Sequence, residues 1–126
     1  MAIKRIVPNI TSHQPDLCRE FYVGFLGLRA AMDMGWIATY ASPANPTAQI
    51  SVIRAGEYEP IQQTISVEVE DVDQSHADAV AAGYRVIYPL TDEPWGVRRF
   101  WVEDPNGVVI NVMSHRGGLR ERSSDA

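Results

Sequence analysis

The same order of periodicities occurs twice along this 126-residue chain: a strand, a helix, then three strands. That duplication restricts the fold more than any single motif does. In the first half, Ile3 to Ile10 reads as a strand, and Pro15 suits the first turn of a helix, where a missing N–H costs nothing. Leu17, Cys18, Phe21, Tyr22 and Phe25 then fall near helical spacing, which predicts a helix with Cys18 on its buried side, and Gly27 marks the stop. Short strands are expected over Leu28–Met32, Met34–Ala41 and Ala48–Ile53. The breaker Ser42-Pro43-Ala44-Asn45-Pro46 separates the last two.

The second half repeats that order. Thr64 to Val69 alternates polar and apolar residues as a strand, Asp71 or Asp73 can cap a helix, and Val72, Ala79 and Val80 give that helix an apolar stripe before Gly83. Strands are expected over Arg85–Tyr88, Arg99–Val102 and Val108–Met113. The last two are joined by Asp104-Pro105-Asn106-Gly107, a proline-fixed, glycine-tolerated reversal. The modules span about 3–57 and 62–115, with Gly56–Pro60 as linker and residues 116–126 as a tail. A period of about 56–60 residues is too short for two independent cores, so 1–126 reads as a single domain.

Composition narrows the function classes. Hydrophobic residues make up 45% and charged residues 21% of the chain, as an ordinary soluble core requires, and the formal net charge of −5 argues against nonspecific nucleic-acid binding. The single cysteine rules out an internal disulfide framework and suits a cytoplasmic protein. No secretory signal and no apolar run of membrane-spanning length is visible, so no membrane partner is expected.

The segments Asp16-Leu-Cys-Arg-Glu-Phe-Tyr-Val-Gly-Phe-Leu-Gly-Leu28, Val67-Glu-Val-Glu-Asp-Val-Asp73 and the Asp104–Gly107 hairpin together resemble the vicinal oxygen chelate superfamily, also called the glyoxalase, bleomycin-resistance and extradiol-dioxygenase superfamily. The resemblance covers roughly residues 3–115. It implies an α+β fold in which paired βαβββ modules form a curved mixed β-sheet around a cavity, often completed by a second chain. It also implies metal ligands, mainly His and Glu, on the first strand of each half and on the final strand. Those positions fall here near Val7 or Pro8, at Thr64 and at Asn111. None carries an imidazole or a carboxylate, so neither a metal nor any other cofactor is expected. The histidines His13, His76 and His115 follow no compact ligand spacing.

A pocket without an obvious catalyst is the remaining signal. Trp36 and Tyr40 share strand parity, Trp95 sits in a loop placed to cover an opening, and Phe100, Trp101 and Met113 add apolar surface for a planar or amphipathic ligand. Arg98 and Arg99 point to opposite faces of a regular strand, and one of them turned inward would clamp an anionic group. Glu68 shares parity with Thr64, Asn111 offers a donor and an acceptor, and His115 lies at a strand end where it can border the cavity. The expected binding set is therefore Trp36, Tyr40, Thr64, Glu68, Trp95, Arg98, Phe100, Asn111, Met113 and His115. The leading function is metal-independent binding of an aromatic or amphipathic small molecule by a homodimer, with antibiotic sequestration or resistance as its setting. The alternative is a noncanonical lyase, isomerase or dioxygenase using Glu68 or His115.

Overall fold

Each half of the chain builds a four-stranded mixed sheet with helix on one side. The computed structural model describes residues 2–56 and 61–116, so most of the expected linker and tail lies outside the described residues. Contacts divide the chain into two units, residues 6–64 and residues 1–5 with 65–126.

In the first unit, β1 (Ile3–Ser12) leads through helix α1 (Pro15–Arg19) to β2 (Arg29–Asp33), β3 (Ile37–Ala41) and β4 (Gln49–Arg54). Its strand order is β2-β3-β4-β1. β4 runs antiparallel to β3 and parallel to β1, with Asn9 opposite Ser51. α1 continues as a π-helix over Glu20–Phe25. There the expected stripe splits. Cys18 is half-buried and lies 3.3 Å from the Ser12 hydroxyl, while the Tyr22 ring stacks on Tyr40 at 5.8 Å. Leu17, Phe21 and Phe25 stay exposed instead. Hydrogen bonds such as Leu26 N to Phe21 O widen the turn beyond the α-helical period, so residues spaced for an α-helix cannot all face one side.

The second unit repeats the topology with β5 (Ile65–Val69), α2 (Val72–Ala81), β6 (Val86–Asp92), β7 (Val97–Glu103) and β8 (Val109–His115), in the order β5-β8-β7-β6. Asp71 is the cap: its carboxylate accepts a hydrogen bond from Gln74 N at 3.0 Å. Asp73 turns instead to Arg98. β6 runs on through Pro89 to Asp92, past the expected end at Tyr88. A proline is tolerated there because β6 is the terminal strand of its unit, and its register with β7 shifts between Tyr88 and Thr91. The β7–β8 reversal is where the sequence puts it. The Asp104 carboxylate accepts from Asn106 N and Val108 N, and Gly107 takes φ +80°.

Register decides the two faces of this sheet. Val67 pairs with Val112, Phe100 with Val112 and Val102 with Ile110, so these side chains share the face that carries α2. Val69, Val72 and Phe100 form the buried cluster there. On the other face, Ser66 pairs with Asn111, Trp101 with Asn111 and Arg99 with Met113.

Candidate functional site: a polar and aromatic sheet face

The face of the second unit that turns away from α2 is unusually polar for a buried surface. Arg99, Trp101, Asn111 and Met113 are all buried on it. At its centre the Arg99 guanidinium lies 5.2 Å from the Tyr88 ring, 5.2 Å from Trp95 and 5.1 Å from Trp101. Tyr88 stacks on Trp101 at 4.5 Å. Such a stack attracts the cation through the ring quadrupoles and holds its plane. Glu93, in the turn before β7, closes the cluster. Its Oε2 accepts from Arg99 Nε at 2.7 Å and from the Tyr88 hydroxyl at 2.7 Å. Gly96 makes the turn possible at φ +88°, and Arg116 N donates to its carbonyl at 2.7 Å.

Beside this cluster stand two unmet hydrogen-bonding groups. Among the described residues, Trp101 Nε1 and Asn111 Oδ1 are buried without a partner. The other end of the Asn111 amide is engaged, Nδ2 donating to the Ser66 hydroxyl at 3.0 Å. One group is a pure donor, the other an acceptor, and their residues are register partners.

A second polar group occupies the strand ends. Glu68 Oε2 lies 2.9 Å from His115 Nδ1, and Glu68 Oε1 accepts from Arg5 Nε at 2.5 Å. Burial alone would raise the Glu68 carboxyl, but the hydrogen bond to His115 and the charge of Arg5 oppose it and hold the group at about 2. Glu68 is thus a firmly ionised orienting group and a weak base.

The expected binding residues do not all converge. Trp95, Glu68, Asn111, Met113 and His115 belong to this face or its rim. Arg98 and Phe100 do not, because β7 alternates and places them on the α2 side. Phe100 packs edge-on to His76, with ring centroids 5.0 Å apart, and Arg98 joins Asp73 and Asp92 at the surface. Trp36 and Tyr40 lie in the other unit and border a hollow of about 140 Å³ with Arg19 and Asp33. Burial raises the Tyr40 phenol, against the lowering effect of Arg19. Thr64 is exposed at the end of that unit. Arg99 is the one of the two arginines that turns to this face, and Trp101, Tyr88, Glu93 and Ser66 join it although none stands in the expected binding set. For Arg99 and Trp101 the signal was the turn itself: closing Asp104 to Val108 pairs Glu103 with Val109 and therefore Trp101 with Asn111, which fixes parity as Arg99 and Trp101 rather than Arg98 and Phe100.

This arrangement is that of a duplicated-module α+β protein with a polar and aromatic sheet face. The model of the Glyoxalase/Bleomycin resistance protein/Dioxygenase superfamily matches residues 4–112, and the chain belongs to that superfamily. Solved structures agree on the fold. A hypothetical protein from Bacillus halodurans C-125 aligns with TM-score 0.74 at 16% identity, covering 99% of this chain and 100% of that one. A Legionella pneumophila structure named as an NAD-dependent benzaldehyde dehydrogenase gives 0.71 at 17%, covering 88% and 99%. A superfamily member from Vibrio splendidus 12B01 gives 0.66 at 14%, covering 90% and 99%. No curated relative matches the sequence.

A divalent metal of the kind found in this superfamily does not fit the side chains at the corresponding positions. Neither Val7 nor Pro8 has a side-chain donor, Thr64 offers one neutral hydroxyl, and the Asn111 amide is already bonded to Ser66 through its nitrogen. The carboxylate of Glu68 is spent on Arg5 and His115. Among the described residues no three His, Cys, Asp or Glu side chains gather as a metal group.

Proposed function

We propose that this protein binds an aromatic or amphipathic small molecule without a metal, on the face formed by Trp95, Trp101, Asn111 and Met113. The observation that carries the reading is the pair Trp101 Nε1 and Asn111 Oδ1, buried with no partner among the described residues. Each such group costs about 1–3 kcal/mol when left unmet, and a ligand that supplies the missing acceptor and donor recovers that cost. The half-exposed Trp95 ring at the β6–β7 turn is the proposed lid over this face. Sequestration rather than turnover suits it, and an antibiotic is one ligand of the required shape and polarity.

The test is a titration of metal-stripped protein with a panel of planar heteroaromatic compounds, followed by indole fluorescence and by mass analysis of the recovered compound. Saturable binding that survives chelation, weakens about tenfold or more in Asn111→Leu and in Trp95→Ala, and returns the compound unchanged supports the reading. Affinity indifferent to both substitutions would remove the site.

The enzyme reading rests on one contact, His115 Nδ1 to Glu68 Oε2 at 2.9 Å, in which an ionised carboxylate orients an imidazole for proton transfer. A chemically altered compound, lost with His115→Gln, would select it. Self-association is proposed through the exposed Leu17, Phe21, Phe25 and Leu26, an apolar patch of the kind that marks protein interfaces. Light scattering should give a dimer mass that falls to a monomer in Phe25→Ser. No described helix is long and apolar enough to cross a membrane. A cytoplasmic location is part of the proposal and is supported by the single cysteine.

A further inference from the structure

The opposite face of the same sheet holds a cavity that the binding reading above does not use. About 520 Å³ in volume, it lies between α2 and the sheet of the second unit. Its origin is in the sequence of α2. The helix turns the short side chains of Ser75, Ala79 and Ala82 toward a floor of Val67, Ile110 and Val112. The floor residues are consequently only half-buried, although their register places them on the core face. A volume of this size is in the range of small-molecule pockets, about 300–1,000 Å³.

The chemistry of the cavity is sharply divided. Its walls are mostly hydrocarbon; of the two hydroxyl-bearing residues among them, Ser75 already donates to the Asp71 carbonyl at 3.1 Å, and Tyr84 is exposed. An occupant has no need of polar groups along its body. The charges stand at the edge: Asp78 on α2, with Glu103 and Asp104 at the start of the β7–β8 turn. Arg85 reaches Glu103 at 3.5 Å and offsets one of the three. The Asp104 carboxylate accepts from two backbone amides yet keeps its charge. Burying an apolar chain favours entry by about 0.8 kcal/mol per methylene, and the acidic rim selects the sign of the head group.

We infer that this cavity is a second binding site, and that it takes an amphiphile with an aliphatic body and a cationic head lying against Asp78, Glu103 and Asp104. The two sites occupy opposite faces of one sheet, so failure of one leaves the other standing.

Nonyltrimethylammonium, kept below its micelle concentration at low ionic strength, is the probe, with nonanoate and nonanol as charge controls. Calorimetry measures affinity, and amide chemical shifts locate the site. The cation should bind about tenfold more tightly than nonanoate, with shifts in Ala79, Ala82, Val67 and Val112. Ala79→Leu, which fills the space, should weaken all three probes. Asp78→Asn with Glu103→Gln should weaken the cation alone and leave nonanol unchanged, a readout that does not depend on filling the cavity. Equal affinity for cation and anion would overturn the inference. So would shifts confined to other residues, or self-association that Ala79→Leu abolishes, which would assign the cavity to a second copy of the chain.

Discussion

Trp101 and Asn111 stand opposite each other on β7 and β8, and each keeps a buried polar atom unpaired: the indole Nε1 of one and the amide Oδ1 of the other. Two complementary, unmet groups on paired residues are a poor solution for stability alone. They suit the binding function proposed above, in which a ligand brings an acceptor beside a donor.

Stability and binding should therefore separate at this pair. The double substitution Asn111→Leu with Ser66→Ala removes the unmet carbonyl together with the amide–hydroxyl bond. Urea unfolding should show it neutral or more stable by about 1 kcal/mol, while ligand affinity falls. A loss of several kcal/mol would mean that the Asn111 amide serves the fold itself.

Glu93 and Arg99 form a buried ion pair at 2.7 Å, their side chains 9% and 8% exposed. Glu93→Ala removes the carboxylate that the buried Arg99 guanidinium and the Tyr88 hydroxyl share. The expected loss is about 3–5 kcal/mol in chemical denaturation. Arg99→Met together with Glu93→Leu should recover most of it, because the two charges of this pair are then no longer desolvated.

Glu68 gives the protein a specific acid response. Its folded value near 2 lies below the ordinary 4.5, so its stabilising effect is complete above pH 4.5 and disappears as pH falls toward 2. Thermal unfolding of the parent should drop across that window. Glu68→Gln should show a shallower slope there and lower stability at pH 6; parallel curves would rule out the Arg5–Glu68–His115 group as the source.

Asp71 and Asp73 are two residues apart and have different tasks. Asp71 caps α2 through Gln74 N, and Asp71→Ala should cost about 1 kcal/mol. The Asp73 carboxyl is held below its usual range, first by its hydrogen bond from Arg98 and then by the charges of Arg98 and Arg116. It is exposed, so Asp73→Asn should change thermal stability by less than about 1 kcal/mol. Circular dichroism melts of the two variants check the order.

Much of this was legible before folding. The Asp104–Gly107 turn, the Asp71 cap and the repeated order of strand, helix and three strands follow from local chemistry, since a proline-fixed φ, a short acidic side chain and a period of two or 3.6 act within a few residues. Glu68 and His115 were both legible as candidates, but not as a pair, because their contact spans β5 and β8. Arg98 and Phe100 show the opposite failure. Alternation assigns each to one of two faces, but nothing within the strand says which face α2 covers.

The sequence by itself determined the superfamily topology, the turns and the residue types that disfavour a metal. Tertiary structure decided which face carries α2 and which carries the polar and aromatic cluster. Strand register brought Trp101 to Asn111 and Arg99 to its three rings, and the docking of α2 consigned Phe100 to the core. The physical reason is that periodicity is a property of one segment, whereas burial belongs to whichever segment arrives from elsewhere in the chain.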